Sequence, residues 1–90
     1  DVFEILAELD RREQQIEEKL KRITNANLDP FPFERIHTAK LLLKLIFEFR
    51  EHIKADEFIQ AGMKLRDLEI EGLKILPDVT FDHTKRKVNV

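Results

Sequence analysis

Residues 39–49 have the sequence AKLLLKLIFEF, in which apolar side chains occupy nearly every direction around a helix. The polar residues in and around this run recur at steps of three and four, the spacing of a single helix face. They are His37, Lys40, Lys44, Glu48 and Glu51 or His52. A buried strand could be equally apolar, but the length of the segment and its straight-chain leucines and lysines favour a helix. The pattern predicts a central helix over residues 32–54, buried on most of its circumference.

The composition is that of one small, charge-rich helical domain spanning residues 1–90. The chain is 42% hydrophobic and 38% charged, and its formal net charge of -2 does not favour binding of nucleic acid by the chain as a whole. A chain this short buries a limited core. The apolar surface of the central helix therefore predicts a second polypeptide that covers part of it.

Residues 1–24 carry a narrow apolar seam with heptad-like spacing. The seam consists of Val2, Leu6, Leu9, Ile16, Leu20 and Ile23, and it is interrupted where the pattern calls for position 13 and finds Glu13. Two interpretations fit this spacing. The segment is either an amphipathic bundle helix with a solvated charged face or a coiled-coil helix that pairs with another copy.

The connections between helices are marked by turn-forming residues. Pro30 and Pro32 separate the first two helices, and the neighbouring Phe31 and Phe33 are expected to clamp this connection onto the core. Asp56 is a candidate N-cap for a third helix over residues 56–75, although an absence of Gly and Pro nearby also allows one bent rod.

The third helix has two apolar faces and ends near Gly72 and Pro77. Small residues at positions 61 and 62 would let another helix approach closely. One face carries Phe58, Ala61, Leu65 and Leu68, and the other carries Ile59, Met63 and Ile70.

Residues 77–90 alternate apolar and polar side chains on either side of a basic turn, which predicts a short β-hairpin or an extended arm. The preceding Leu65 and the run LEIEGL at residues 68–73, followed by this basic turn, resemble the end of a winged-helix domain. That resemblance implies a DNA-binding regulatory protein with Lys85, Arg86 and Lys87 on phosphates. The helix that would read bases departs from the family, because its exposed positions are mainly acidic.

Few combinations of residues in this sequence suggest catalysis or metal binding. The chain has no cysteine and no serine, which excludes disulfides and catalysis by a serine or cysteine nucleophile. Glu48, His52 and Asp56 follow one another at steps of four and could share a helix face, but no fourth metal ligand accompanies them. We therefore expect no enzyme, no catalytic residue, no metal, no cofactor and no small-molecule substrate.

The sequence thus predicts an all-α protein, either a three-helix bundle or a helical hairpin, with a coiled-coil-like first helix. We expect a soluble, cytoplasmic protein without a membrane span. The predicted function is oligomerisation or protein–protein interaction, as a homodimer or as a subunit of a larger assembly. The predicted interface residues are Leu6, Leu9, Ile16, Leu20, Leu43, Ile46, Phe58 and Met63. The alternative is a winged-helix-like nucleic-acid-binding protein.

Overall fold

The computed structural model describes residues 1–75, which form three helices. They are α1 (Val2–Asn25), α2 (Phe33–Lys54) and α3 (Phe58–Ile70). Helix α2 is central, because α1 and α3 each pack against it. The prediction of an all-α class is confirmed for this part of the chain. The predicted hairpin or arm at residues 77–90 lies outside the described residues.

Helix α1 begins and ends at side chains that favour helix boundaries. The carboxylate of Asp1 accepts a hydrogen bond from the backbone N–H of Glu4 across 3.0 Å, which satisfies one of the unpaired donors of the first turn. After the helix, Asn27 has a left-handed backbone with a φ of 53°. Asn tolerates this conformation better than most residues, which explains why α1 stops here.

The break between α2 and α3 is a Schellman motif. The backbone N–H of Glu57 donates to the carbonyl of His52 across 2.8 Å, and that of Asp56 donates to the carbonyl of Ile53 across 3.1 Å. Asp56 occupies the left-handed position of the motif with a φ of 61°. The prediction of Asp56 as N-cap is wrong, because Glu57 takes that position without a side-chain hydrogen bond. A single bent rod is also excluded.

The core draws on all three helices and on the segment after α3. Its buried members are Leu9, Leu45, Ile46, Phe49, Ala61, Leu68 and Leu73. Ala61 is only 1% exposed, so its small side chain lets α3 approach α2 closely. The core thus lies along the C-terminal half of α2, as the prediction of a central helix between two others requires.

The chain reverses after α3 through a second Schellman motif. Gly72 has a φ of 107°, and the backbone N–H of Leu73 donates to the carbonyl of Leu68 across 2.9 Å. Both leucines are buried in the same core, which is the apolar contact that commonly accompanies this motif. The turn therefore returns the chain to the core.

The connection between α1 and α2 is less buried than predicted. The rings of Phe31 and Phe33 pack edge to face with their centroids 4.8 Å apart. Phe33 is nevertheless 73% exposed. The expectation that both rings clamp onto the core is therefore wrong for Phe33, whose main aromatic contact is its neighbour.

Candidate interaction surfaces

Among residues 1–75, no segment covers the apolar side of α3 that faces away from α2. Ile59, Met63 and Ile70 are 79%, 59% and 71% exposed, and they follow one another at steps of four and seven. These steps align side chains along one face of a helix. We call these three residues the α3 stripe. They lie opposite Ala61 and Leu68, which are buried against α2.

A second uncovered surface runs along α2. Phe33 and Phe47 are 73% and 59% exposed, and Lys40 and Lys44 lie between them on the same side of the helix, also exposed. We call these four residues the α2 outer face. Of the predicted polar positions, His37, Lys40, Lys44 and Glu51 are exposed, whereas Glu48 and His52 are half-buried. The two aromatic rings turn this polar side into a mixed aromatic and basic surface.

The predicted interface residues divide into three groups. Leu9 and Ile46 are 0% exposed and belong to the core of the chain itself. Leu6 and Ile16 are half-buried and pack against that core, and Leu20 and Leu43 are also half-buried. Phe58 and Met63 are exposed. Of the eight residues, only these last two offer a largely free apolar surface.

Sequence reasoning left several exposed apolar residues out of the predicted interface. Ile59 and Ile70 were placed on the second face of α3, and their helical spacing with Met63 is the signal that identifies them. Phe33 and Phe47 carry a weaker signal, because Phe47 lies in the apolar run 39–49 and Phe33 was expected to clamp a connection onto the core.

The apolar seam of α1 faces α2 of the same chain. Beyond the core, the two helices border an open groove of about 410 Å³. Its apolar and small lining residues are Ile16, Leu20, Ile23, Thr38, Ala39 and Leu42. This packing favours the interpretation of α1 as a bundle helix. Pairing of two copies through the seam stays a prediction.

Interhelical ion pairs join the three helices at their charged edges. Arg50 of α2 pairs with both Asp10 and Glu13 of α1, and the hydrogen bond that Arg50 donates to Glu13 is the main cause that raises the pKa of Arg50. Lys64 of α3 lies 3.0 Å from Glu48 of α2, and this contact holds the pKa of Glu48 below its ordinary value. These partly exposed pairs orient α1 and α3 on α2.

Glu48 and His52, considered as metal ligands, each pair with another side chain in the structure. Glu48 pairs with Lys64, and the Nδ1 atom of His52 lies 2.8 Å from Glu57. Asp56 belongs to the turn that follows α2. Within residues 1–75, no group of three His, Asp or Glu side chains is arranged to hold a metal ion.

Comparisons with known proteins found no matching family model, no similar curated protein and no similar solved structure. Within residues 1–75, none of the three helices combines the length and apolar character needed to cross a membrane. The predicted phosphate contacts Lys85, Arg86 and Lys87 lie outside the described residues. The geometry of the uncovered helix faces is therefore the basis for a functional proposal.

Proposed function

We propose that this chain is a non-enzymatic protein-interaction module that assembles with copies of itself, alone or within a larger complex. The observation that carries the proposal is the α3 stripe, whose three large apolar side chains are more than half exposed and aligned on one helix face. Scattered apolar residues are normal on protein surfaces, whereas an aligned apolar patch marks a site of association.

Burial of this apolar surface against a second copy favours association. Complete burial of one large aliphatic side chain contributes about 1.5–3 kcal/mol. Ile59, Met63 and Ile70 together therefore offer several kcal/mol, and Phe58 and Phe47, also more than half exposed, enlarge the apolar area. A part of this gain offsets the cost of bringing two molecules together.

The proposal places the contacts on α2 and α3 rather than on the seam of α1. The seam already packs against α2, and its residue Leu9 is completely buried. In the part of the chain that the structure describes, the side chains of the α3 stripe do not pack on the core, because the buried face of α3 is the opposite one. A partner can therefore bind the stripe without opening the fold.

The experiment that tests this proposal is the solution mass measured by light scattering over a range of protein concentrations. We expect the unmodified chain to associate, and we expect a variant with Ile59→Gln and Met63→Gln to remain a monomer. The melting temperature of this dilute variant should stay close to that of the unmodified chain, because both side chains are exposed in the monomer.

A matched control removes exposed apolar surface elsewhere. Phe3 on α1 and Leu28 in the connection after it are 78% and 43% exposed, and neither belongs to α2 or α3. A variant with Phe3→Gln and Leu28→Gln should associate like the unmodified chain. A monomeric unmodified chain at every concentration, or association that survives changes in the stripe, contradicts the proposal.

A further inference from the structure

We propose that the α3 stripe of one copy docks on the α2 outer face of a second copy. This inference rests on the proposed function and identifies the surface that receives the stripe. Both surfaces are uncovered and partly apolar: Met63 is 59% exposed on α3, and Phe33 and Phe47 are 73% and 59% exposed on α2. The two surfaces differ in charge, and that difference selects the pairing.

The α2 outer face is basic. Lys40 and Lys44 are exposed between the two phenylalanines, and neither joins any of the ion pairs formed within residues 1–75. Lys44 interacts electrostatically with Glu48 of its own helix without a close ion pair, and both exposed ammonium groups can meet anionic side chains of another molecule. An acidic and apolar helix is therefore the partner that this face fits.

The surface beside the α3 stripe is acidic. Asp67 and Glu71 continue from Met63 at steps of four, which places Met63 and Asp67 on adjoining turns of α3 and Glu71 at its C-cap. Asp67 is half-buried and Glu71 is exposed, and neither joins an ion pair within residues 1–75. Arg66 is the one cation that borders the stripe on α3, so the carboxylates are in excess there.

Pairing of unlike faces brings opposite charges together, and pairing of like faces does not. Two α2 outer faces would set Lys40 and Lys44 against their own copies, and two α3 stripes would bring Asp67 and Glu71 together. Like charges at a contact oppose association and so act against both symmetric arrangements. Contact between α2 and α3 satisfies both sets of charges.

The two surfaces also match in length. At a rise of about 1.5 Å per residue, Phe33 and Phe47 lie about 21 Å apart along α2, and Ile59 and Ile70 lie about 17 Å apart along α3. One stripe therefore covers most of one outer face. Because each copy offers one face of each kind, the contact is heterologous and generates rings or open chains rather than an isolated symmetric pair.

The test uses charge reversal in the full-length chain. One variant carries Lys40→Glu and Lys44→Glu, and the other carries Asp67→Lys and Glu71→Lys. We expect each variant alone to self-associate about tenfold more weakly than the unmodified chain, because opposite charges at the contact become like charges. An equimolar mixture of the two should regain association, since every α2–α3 contact between different variants pairs opposite charges.

Matched controls make the same charge changes on the exposed side of α1. Lys19→Glu with Lys21→Glu, and Glu17→Lys with Glu18→Lys, should leave the solution mass unchanged. Melting temperatures of all variants, measured at low concentration, separate a loss of association from a loss of folding. If the charge-reversed variants unfold, the neutral pairs Lys40→Gln with Lys44→Gln and Asp67→Asn with Glu71→Gln replace them.

Disulfide cross-linking gives an independent readout, because the natural chain contains no cysteine. We expect a Lys44→Cys variant and an Arg66→Cys variant to cross-link with each other faster than either cross-links with itself. Faster cross-linking of like variants, or a charge-reversed mixture that stays dissociated, overturns the heterologous contact. Either of these results leaves the proposed function intact as long as the unmodified chain associates. A monomeric unmodified chain overturns the proposed function and the heterologous contact together.

Discussion

Arg50 of α2 binds Glu13 of α1 at the position where the apolar seam of α1 is interrupted, and the Nη2–Oε1 distance is 2.8 Å. The side chains of Arg50 and Glu13 are 23% and 28% exposed, so the pair lies partly within the contact between the helices. Arg50 also pairs with Asp10. The irregular position in the seam is therefore the point at which α1 and α2 make their main polar contact.

Removal of the Glu13 charge should weaken the contact between α1 and α2. We expect Glu13→Gln to lower the free energy of unfolding by about 1 kcal/mol or less, as is typical of partly exposed ion pairs. The loss should shrink at high salt, which screens the pair. Urea unfolding at two salt concentrations measures this, with Glu17→Gln on the exposed side of α1 as control. If both substitutions lower the free energy of unfolding equally, the ion pair between Arg50 and Glu13 does not stabilise the fold.

The two glycines should respond to alanine with opposite signs. Gly72 has a φ of 107°, a conformation in which a Cβ is strained although it would meet no atom within 4 Å. We expect Gly72→Ala to lower the free energy of unfolding by about 1–2 kcal/mol. Gly62 lies inside α3 and a Cβ there also meets nothing within 4 Å. Gly62→Ala should therefore raise stability by about 0.5–1 kcal/mol.

Denaturant titration of both glycine variants at low protein concentration measures the two changes in the free energy of unfolding under the same conditions. Since neither added methyl group clashes, the difference between them isolates backbone conformation. A stabilising Gly72→Ala would show that the turn after α3 does not need a left-handed residue.

The ion pair between Glu48 and Lys64 should make stability depend on pH in the acidic range. The hydrogen bond from Lys64 lowers the pKa of Glu48 in the folded chain. A carboxyl whose pKa is lowered on folding stabilises the protein above its unfolded pKa, and this contribution is lost as the pH falls through the folded pKa. Glu48→Gln should therefore have a lower melting temperature than the unmodified chain at pH 7, and the difference should vanish in strong acid.

Thermal unfolding at neutral and acidic pH tests this expectation, with Lys64→Met as the companion variant. Because Lys64 is the main partner of Glu48, its loss should reduce the acid-dependent part of stability in the same way. A difference between Glu48→Gln and the unmodified chain that persists unchanged through the acidic range would contradict the assignment.

Leu73 should be as important to stability as a residue inside a helix. It is 7% exposed although it follows the end of α3. We expect Leu73→Ala to cost about 2–5 kcal/mol, the range for removing a buried leucine side chain. Leu28, which is 43% exposed in the connection after α1, provides the control. If chemical unfolding shows that Leu73→Ala and Leu28→Ala lower the free energy of unfolding equally, the proposed importance of Leu73 is refuted.

The basic residues near the C-terminal end of the sequence offer a test of the alternative function. If the chain is an interaction module, simultaneous reversal of Lys85, Arg86 and Lys87 to Glu should leave its affinity for duplex DNA unchanged at low salt. Fluorescence anisotropy with a labelled duplex measures this affinity. A large loss of DNA affinity after the substitutions would favour the hypothesis of a winged-helix-like nucleic-acid-binding protein, because contacts to phosphate depend on cationic charge.

Local sequence patterns predicted the three helices, but the third, predicted over residues 56–75, spans only Phe58–Ile70 because the chain turns at Gly72. The predicted first two helices, residues 1–24 and 32–54, match α1 and α2 to within one or two residues. Pro30 and Pro32 restrict the backbone locally, and Gly72 supplies a left-handed residue, so these boundaries need no knowledge of distant residues. Asp56 was misassigned because a left-handed aspartate and an N-cap aspartate look alike in sequence.

The candidate surfaces were only partly predictable. Met63 and Phe58 were assigned to the interface from the surplus of apolar residues, and both are exposed. Ile46 and Leu9 were assigned for the same reason, yet both are core residues. Helical periodicity identifies the sides of a helix that are apolar, but it does not say which apolar side meets the rest of the chain.

The sequence by itself determined the helical class, the central position of α2 and the two apolar faces of α3, because periodicity and turn residues act over a few neighbouring positions. Only the tertiary structure decided that Glu13 meets Arg50, that Leu73 returns to the core and that Ile59, Met63 and Ile70 stay uncovered. Those outcomes depend on which surfaces of distant segments pack together. Packing of α3 on α2 buries one apolar side of α3 and leaves the opposite side to solvent.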